Sequence, residues 1–313
     1  MRTESNSKQG LSIVFLTALI CSGCAGTQRV PDANAPHPLL GLKVRSVDLK
    51  VMPPQEVDQA IRAARVLLLG EQHDNPAHHL MQARIIAEQA GPHTQVVFEM
   101  LDDPGVVQAL NEGKDISGPW NESAWPPYET YAPIFEALFE TGAQARAGNP
   151  PRAQVKRVAM GGLESLEADH RASLKLGVTL KEEELEAMHV EMVEVHCGHS
   201  HPGIAGMVDA QRFKDATMAK VLSDAPERAI LIAGTGHVRR DRGVPRFIDE
   251  RATLSIAFVG VDPDKLKVSD YLSRAPGADI LWFTEGVPII DHCEAFRAHM
   301  KAKKEGHSVT PKD

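Results

Sequence analysis

The chain has 313 residues, enough for one large α/β domain, or one with a smaller insert. Its formal net charge is −8, with 34 Lys and Arg against 42 Asp and Glu and no long basic block, which argues against a nucleic-acid partner. Aromatic residues make up only 5%, so a local cluster of them stands out.

In chain order, the first segment reads as an export signal. Arg2 and Lys8 precede an apolar run, Leu11 to Ile20, too short for a permanent membrane span. Cys21-Ser22-Gly23-Cys24 follows and has the form of a lipobox, with residues 1–23 as a lipoprotein signal peptide and Cys24 as the lipidated first residue. A cysteine at the usually aliphatic lipobox position departs from that form, and an ordinary cleaved signal without lipid is the alternative. Residues 24–40, rich in Pro, Ala and Asn, read as a tether. The implied location is a bacterial cell envelope, with the chain lipid-anchored, at the outer membrane and facing the periplasm.

Residues 42–51 alternate apolar and polar and predict a short edge strand. A helix is expected from Pro54 to Ala64, and a buried strand over Arg65–Gly70. That strand runs R-V-L-L-L-G and stops at Glu71, His73 and Asp74. Asn75-Pro76 starts the next helix with a capping side chain and a proline at the first position. A strand over Gln95–Met100 ends in Glu99, and Asp103-Pro104 opens another helix. Such alternation is the pattern of a parallel sheet with crossover helices.

Residues 113–133 read as a loop carrying Trp120, Trp125, Tyr128 and Tyr131, and a further strand is expected over 143–149. From Pro151 to Leu222 the periods are helical, with Thr179 and Glu182 as a capping box. Between the helices lies H-C-G-H-S-H, with His196, His199 and His201. Three histidines in six residues suit a transition metal or a haem iron, or simply an exposed helix end. A second apolar strand, Ala229–Gly234, again meets a glycine, with His237 three residues on and Arg239 beyond. A helix from Val244 to Arg251 and strands over 254–259 and 279–284 complete the pattern, and a helix from Cys293 leads into a polar tail over 301–313. Cys197 and Cys293 are the cysteines outside the leader, either a disulfide or two buried thiols.

The fold class expected is therefore α/β: a largely parallel or mixed sheet built from two strand-Gly-x-x-His halves, residues 41–150 and 223–300, with a small helical subdomain over 151–222. His73, Glu99 and His237 are expected to converge in one crevice at the carboxyl ends of the strands.

The paired Gly-x-x-His strand ends, with V-V-F-E-M from Val96 between them, resemble the superfamily of Tiki and TraB proteins, erythromycin esterases and ChaN-like haem-binding lipoproteins. The stretches Y-A-P-I-F-E-A-L from Tyr131, A-Q-R-F-K-D-A-T-M-A from Ala210, G-H-V-R-R-D-R-G-V-P from Gly236 and D-I-L-W-F-T-E from Asp279 resemble the ChaN-like branch. That resemblance implies a membrane-anchored haem-binding lipoprotein for haem and iron uptake, with haem, an outer-membrane receptor and a second copy of the chain as partners. C-x-x-C-H is absent, so covalent c-type attachment is excluded. Tyr128, Tyr131, His196, His199 and His201 are the candidate haem ligands, lying outside a crevice made acidic by Glu71, Asp74 and Glu99. Arg212, Arg239 and Arg240 are candidate partners for the propionates.

The alternative is a metal-dependent hydrolase, a peptidase or esterase. In it His73, Glu99 and His237 hold a divalent ion, Glu71 or Glu99 acts as ligand or base, and Arg239 assists. No Gly-x-Ser-x-Gly elbow is present to support a serine nucleophile.

Overall fold

The structure is a computed structural model that describes residues 36–198, 203–248, 253–272, 277–288 and 293–294. Cys24 and the lipobox, most of the tether, His199, His201 and the tail from residue 295 lie outside the described residues.

Three strands set the frame. Strand β3 (Val66–Glu71) is buried along its whole length. Its side chains alternate between two cores: Leu67 and Leu69 enter one face, Val66 and Leu68 the other. A strand buried on both faces belongs in the middle of a parallel sheet. Beside it lies β6 (Arg228–Gly234), parallel, with Glu71 opposite Gly234. The two Gly-x-x-His strands are thus neighbours, and their ends lie side by side. On the far side of β6 runs β4 (Thr94–Phe98), also parallel.

The remaining strands are β1 (Lys43–Arg45), β2 (Lys50–Val51), β5 (Gln144–Ala147), β7 (Thr253–Gly260) and β8 (Ile280–Thr284), in the order β2-β1-β8-β7-β3-β6-β4-β5. Strands β8 to β5 in that order are parallel, whereas β1 pairs antiparallel with β8 and β2 with β1. The expected edge strand is therefore a hairpin closing a mixed sheet.

Helices α1 (Pro54–Ala63), α2 (Pro76–Gln89) and α3 (Pro104–Asn111) lie where the sequence places them. Asn75 caps α2 by accepting from the amide of Ala77, and Asp103 caps α3 by accepting from Gly105. The expected loop over 113–133 differs: it holds α4 (Ser117–Asn121) and the first turns of α5 (Tyr128–Thr141), with Pro133 inside the helix. Proline costs that helix a hydrogen bond, and aromatic packing offsets the loss. Trp120 sits against Tyr131 at 4.9 Å between ring centroids, and Tyr128 stacks on Phe135 at 5.4 Å.

The helical stretch comprises α6 (Arg152–Gly161), α7 (Ala168–Ser173), α8 (Glu182–Val195) and α9 (Ile204–Ser223). Helix α9 packs on the sheet. Phe213, Ala216, Ala219 and Leu222 share a core with Val66, Leu68, Val97 and Leu231, so it covers one sheet face. Truncating one such core leucine typically costs about 2–5 kcal/mol. The cap of α8 also differs from expectation: the Lys181 amide donates to the Glu184 carboxylate at 2.8 Å, and three glutamates occupy the first turn, where the helix dipole favours them. Val244–Phe247 is a single 3-10 turn rather than a longer helix.

Cys197 and Cys293 form a disulfide, tying the end of α8 to the chain beyond β8. No helix among the described residues is long and apolar enough to cross a membrane.

Candidate functional site

The carboxyl ends of β3, β4 and β6 open into a cleft of about 850 Å³. Each end delivers one polar group: Glu71 closes β3 with His73 two residues on, Glu99 follows β4, and His237 sits in the 3-10 turn Thr235–Val238 after β6. The glycines make this close assembly possible. A Cβ on Gly234 would stand 3.0 Å from His73 Nε2, and one on Gly70 would collide with the Val238 side chain.

Glu99 lies between the two histidines. His237 Nε2–H donates to its Oε1 at 3.0 Å, the Gly234 amide donates to Oε2 at 2.9 Å, and His73 Nε2 stands 3.8 Å from Oε2. Behind each histidine is a second carboxylate. His73 Nδ1–H donates to Glu71 at 2.9 Å, and His237 Nδ1–H donates to Asp215 of α9 at 2.6 Å. These carboxylates fix the ring orientations and turn both Nε2 atoms toward Glu99. His73, Glu99 and His237 thus meet in one crevice, as expected from the matched strand ends.

Burial alone would raise the Glu71 carboxyl, but His73 and His79 outweigh it and hold it well below the usual range. Burial likewise opposes ionisation of Glu99, and His237, His73 and Lys214 hold it low. His237 is driven the other way: burial works against its charge, yet Glu99 and Asp215 raise it to about 10. Burial raises Asp215 to about 6 despite the His237 contact. His237 is therefore an imidazolium at neutral pH, and the Gln211 side-chain nitrogen stands 2.9 Å from its Nε2. With His237 and Lys214 facing Glu71, Glu99 and Asp215, the floor carries cations as well as carboxylates.

Beneath the floor lies a second polar layer. Tyr131 is buried, and its hydroxyl donates to Glu71 at 2.5 Å. His79, also buried, stacks on Tyr131 at 4.1 Å with Nε2 3.5 Å from Glu71 Oε2, outside hydrogen-bond alignment. Beside the floor the lining is mixed: Trp125 meets His73 edge-on at 4.8 Å, and Pro126, Met192 and Val195 stand alongside Asp74 and Glu191.

The other candidate residues fall elsewhere. Tyr131 lies beneath the floor with its hydroxyl on Glu71, and burial raises that hydroxyl far above the ordinary phenol range. Tyr128 is half-buried against Phe135. His196 ends α8 beside the rim, its Nδ1–H donating to the Met192 carbonyl at 2.7 Å. Arg239 is clamped by both oxygens of Asp241, Arg240 by Asp279, and Arg212 bonds the Val178 carbonyl, so none of the three aims into the cleft. Lys214 is the lysine that lines it.

For a haem, Trp125, Met192 and Val195 offer apolar contact in a roomy cleft. For a divalent ion the donor set is present but occupied. Glu99 already binds His237 and Gly234, and no group of three His, Cys, Asp or Glu among the described residues is set to hold a metal ion.

Asp215, Gln211 and Lys214 were not singled out from the sequence. A signal existed: Gln211 and Asp215, four apart, interrupt the apolar face formed by Ala210, Phe213 and Ala216.

Fold and site together define an α/β protein whose parallel sheet presents two Gly-x-x-His strand ends to one cleft. The chain belongs to the family described as haem-binding uptake, Tiki superfamily, ChaN, whose model matches residues 57–248. Among solved structures it is similar to ChaN of Campylobacter jejuni, a structure of cofacial haem binding, at 18% identity and a TM-score of 0.60, covering 78% of this chain and 97% of that one. It is similar more distantly to the type III effector HopBA1, at 14% identity and a TM-score of 0.45 over 76% of this chain and 98% of that one. No curated protein matches the chain. Family and fold support a haem-binding, uptake-related function.

Proposed function

We propose that this chain is a lipid-anchored haem-binding protein of the bacterial envelope that serves iron uptake. One observation supports seating the haem here: a hydrogen-bonded floor is flanked by Trp125, Met192 and Val195. The porphyrin lies against Trp125, Met192 and Val195. Lys214 is the nearby cation for a propionate, in place of the three arginines. The iron ligand comes from the histidines at and beyond the end of α8, His196, His199 or His201. The floor histidines are engaged by carboxylates, and His237 would first have to give up a proton. A second copy of the chain and an outer-membrane receptor are the proposed protein partners.

The test is a hemin titration of the purified protein followed by its Soret band. Replacing His196, His199 and His201 by alanine should abolish the shift, whereas His73→Ala/His237→Ala should retain it. The reverse result would move the iron to the strand ends.

A second reading has its own observation in the carboxylate behind each floor histidine. That arrangement primes an imidazole to ligate a metal. Should the iron reading fail, zinc or manganese titration with a peptide or ester substrate is the experiment for a hydrolase.

A further inference from the structure

The hairpin β1–β2 departs from the usual chemistry of a turn. Turns favour Gly, Asn, Asp and Ser, yet beside Ser46 and Asp48 this one carries Val47 and Leu49, and β2 ends in Val51. Val47 is 86% exposed, Val51 57% and Leu49 39%. No other described stretch of five residues exposes three large aliphatic side chains. Leu49 also holds a left-handed backbone, φ 57°, a conformation that a leucine rarely adopts. Both water and sterics thus disfavour a leucine at this position. Arg45 and Lys50 flank the tip, with Asp48 and Glu56 as their ion-pair partners.

The tip sits at a defined edge of the sheet. Strand β1 runs antiparallel to β8, and the Ser46 amide donates to the carbonyl of Asp279, just before β8 begins. The hairpin tip therefore lies at the amino ends of the parallel strands, and the cleft at their carboxyl ends.

We infer that this hairpin rests on the lipid bilayer, with Val47, Leu49 and Val51 in the interface and the cations at headgroup level. Aliphatic tips flanked by Lys and Arg suit that boundary. The inference rests on the reading of Cys24 as a lipid anchor. The chain length between anchor and sheet permits it. Residues 25–35 span up to roughly 35–40 Å when extended. The five residues of β8 rise about 17 Å, so the tether outreaches the height of the sheet. The consequence is an orientation: the cleft opens away from the membrane.

The experiment places a nitrobenzoxadiazole probe on Val47→Cys in the mature lipidated protein, reconstituted into phosphatidylethanolamine–phosphatidylglycerol vesicles. With Cys24 acylated and Cys197 paired to Cys293, the new thiol is the free one. Mass spectrometry of the amino-terminal peptide first establishes the lipid. The probe should shift to the blue and show several-fold weaker iodide quenching in vesicles than in detergent-free buffer. A second variant, Val51→Asp, should restore quenching, and a probe on exposed Met160→Cys should stay fully quenchable. A lipidated protein whose residue-47 probe stays water-exposed overturns the hairpin contact alone. A protein without lipid overturns the anchor and the contact together. A blue shift that grows with protein concentration in the absence of vesicles assigns the patch to a second copy and also overturns it.

Discussion

Asp215 stands 2.6 Å from Nδ1 of His237, although one lies midway along helix α9 and the other just past strand β6. The contact joins the layer covering the sheet to the strand ends, and it makes α9 part of the site. It also explains why a carboxylate sits 2% exposed on a helix face otherwise made of apolar side chains. A buried charge of this kind persists only when paired.

Asp215→Asn should consequently cost on the order of 3 kcal/mol, because it leaves the His237 cation short of one partner. The His237 titration, followed by its ring-proton shifts, should move down from about 10. Unchanged urea unfolding together with an unmoved titration would show that Glu99 alone holds the charge.

Stability should depend on pH through the same groups. His237 is raised above its ordinary 6.5, so its contribution is complete below that value and is lost as pH rises through about 10. Glu71 and Glu99 are lowered, so theirs is present above 4.5 and fades as pH falls below it. Asp215, raised from 3.8 to about 6, runs against them in acid, one group against two. Thermal unfolding should therefore show a falling limb below pH 4.5 and another between 6.5 and 10. His237→Gln should flatten the alkaline limb and leave the acid limb in place.

Tyr131→Phe separates a supporting role from a ligand role. The hydroxyl satisfies a buried oxygen of Glu71, so its removal should cost about 1–3 kcal/mol in denaturant unfolding. Hemin binding should be unchanged. Loss of the Soret shift with stability intact would make Tyr131 the iron ligand after all.

Much of this was legible in the sequence. Apolar runs ending in Gly70 and Gly234 mark buried parallel strands, and parallel strands bring their ends together, so the meeting of His73, Glu99 and His237 follows from pattern alone. The first turns of α5 did not, because Pro133 and the surrounding prolines read locally as loop while the packing of Tyr128 on Phe135 is long-range. Asp215 was hidden for the related reason that its partner is distant in sequence. Arg239 illustrates the converse. Its place beside His237 looks functional, but the local turn delivers it to Asp241.

Reduction of the disulfide should loosen the structure without dismantling the sheet. The bond closes a loop of 96 residues, and its removal typically costs about 2–5 kcal/mol. Cys197→Ser/Cys293→Ser should lower the melting temperature while keeping the far-ultraviolet spectrum. The variant's melting should also become insensitive to dithiothreitol, whereas that of the native chain should fall to meet it.

The two motif glycines should respond differently to alanine, and the contrast tests what the floor does. A Cβ on Gly70 runs into the branched side chain of Val238 and lies 3.1 Å from the Thr235 backbone, neither of which can easily retreat. Gly70→Ala should therefore destabilise by about 1–3 kcal/mol, as overpacking does elsewhere. On Gly234 the Cβ meets His73 Nε2 at 3.0 Å and Glu99 Oε2 at 3.6 Å. His73 is about one-third exposed and can swing toward Trp125. Gly234→Ala should thus change urea unfolding little while displacing the His73 ring, visible as altered ring-proton shifts. With the haem held at the rim, its Soret titration should match that of the native chain. A weakened hemin titration in this variant, with unfolding unchanged, would bring the iron down to His73.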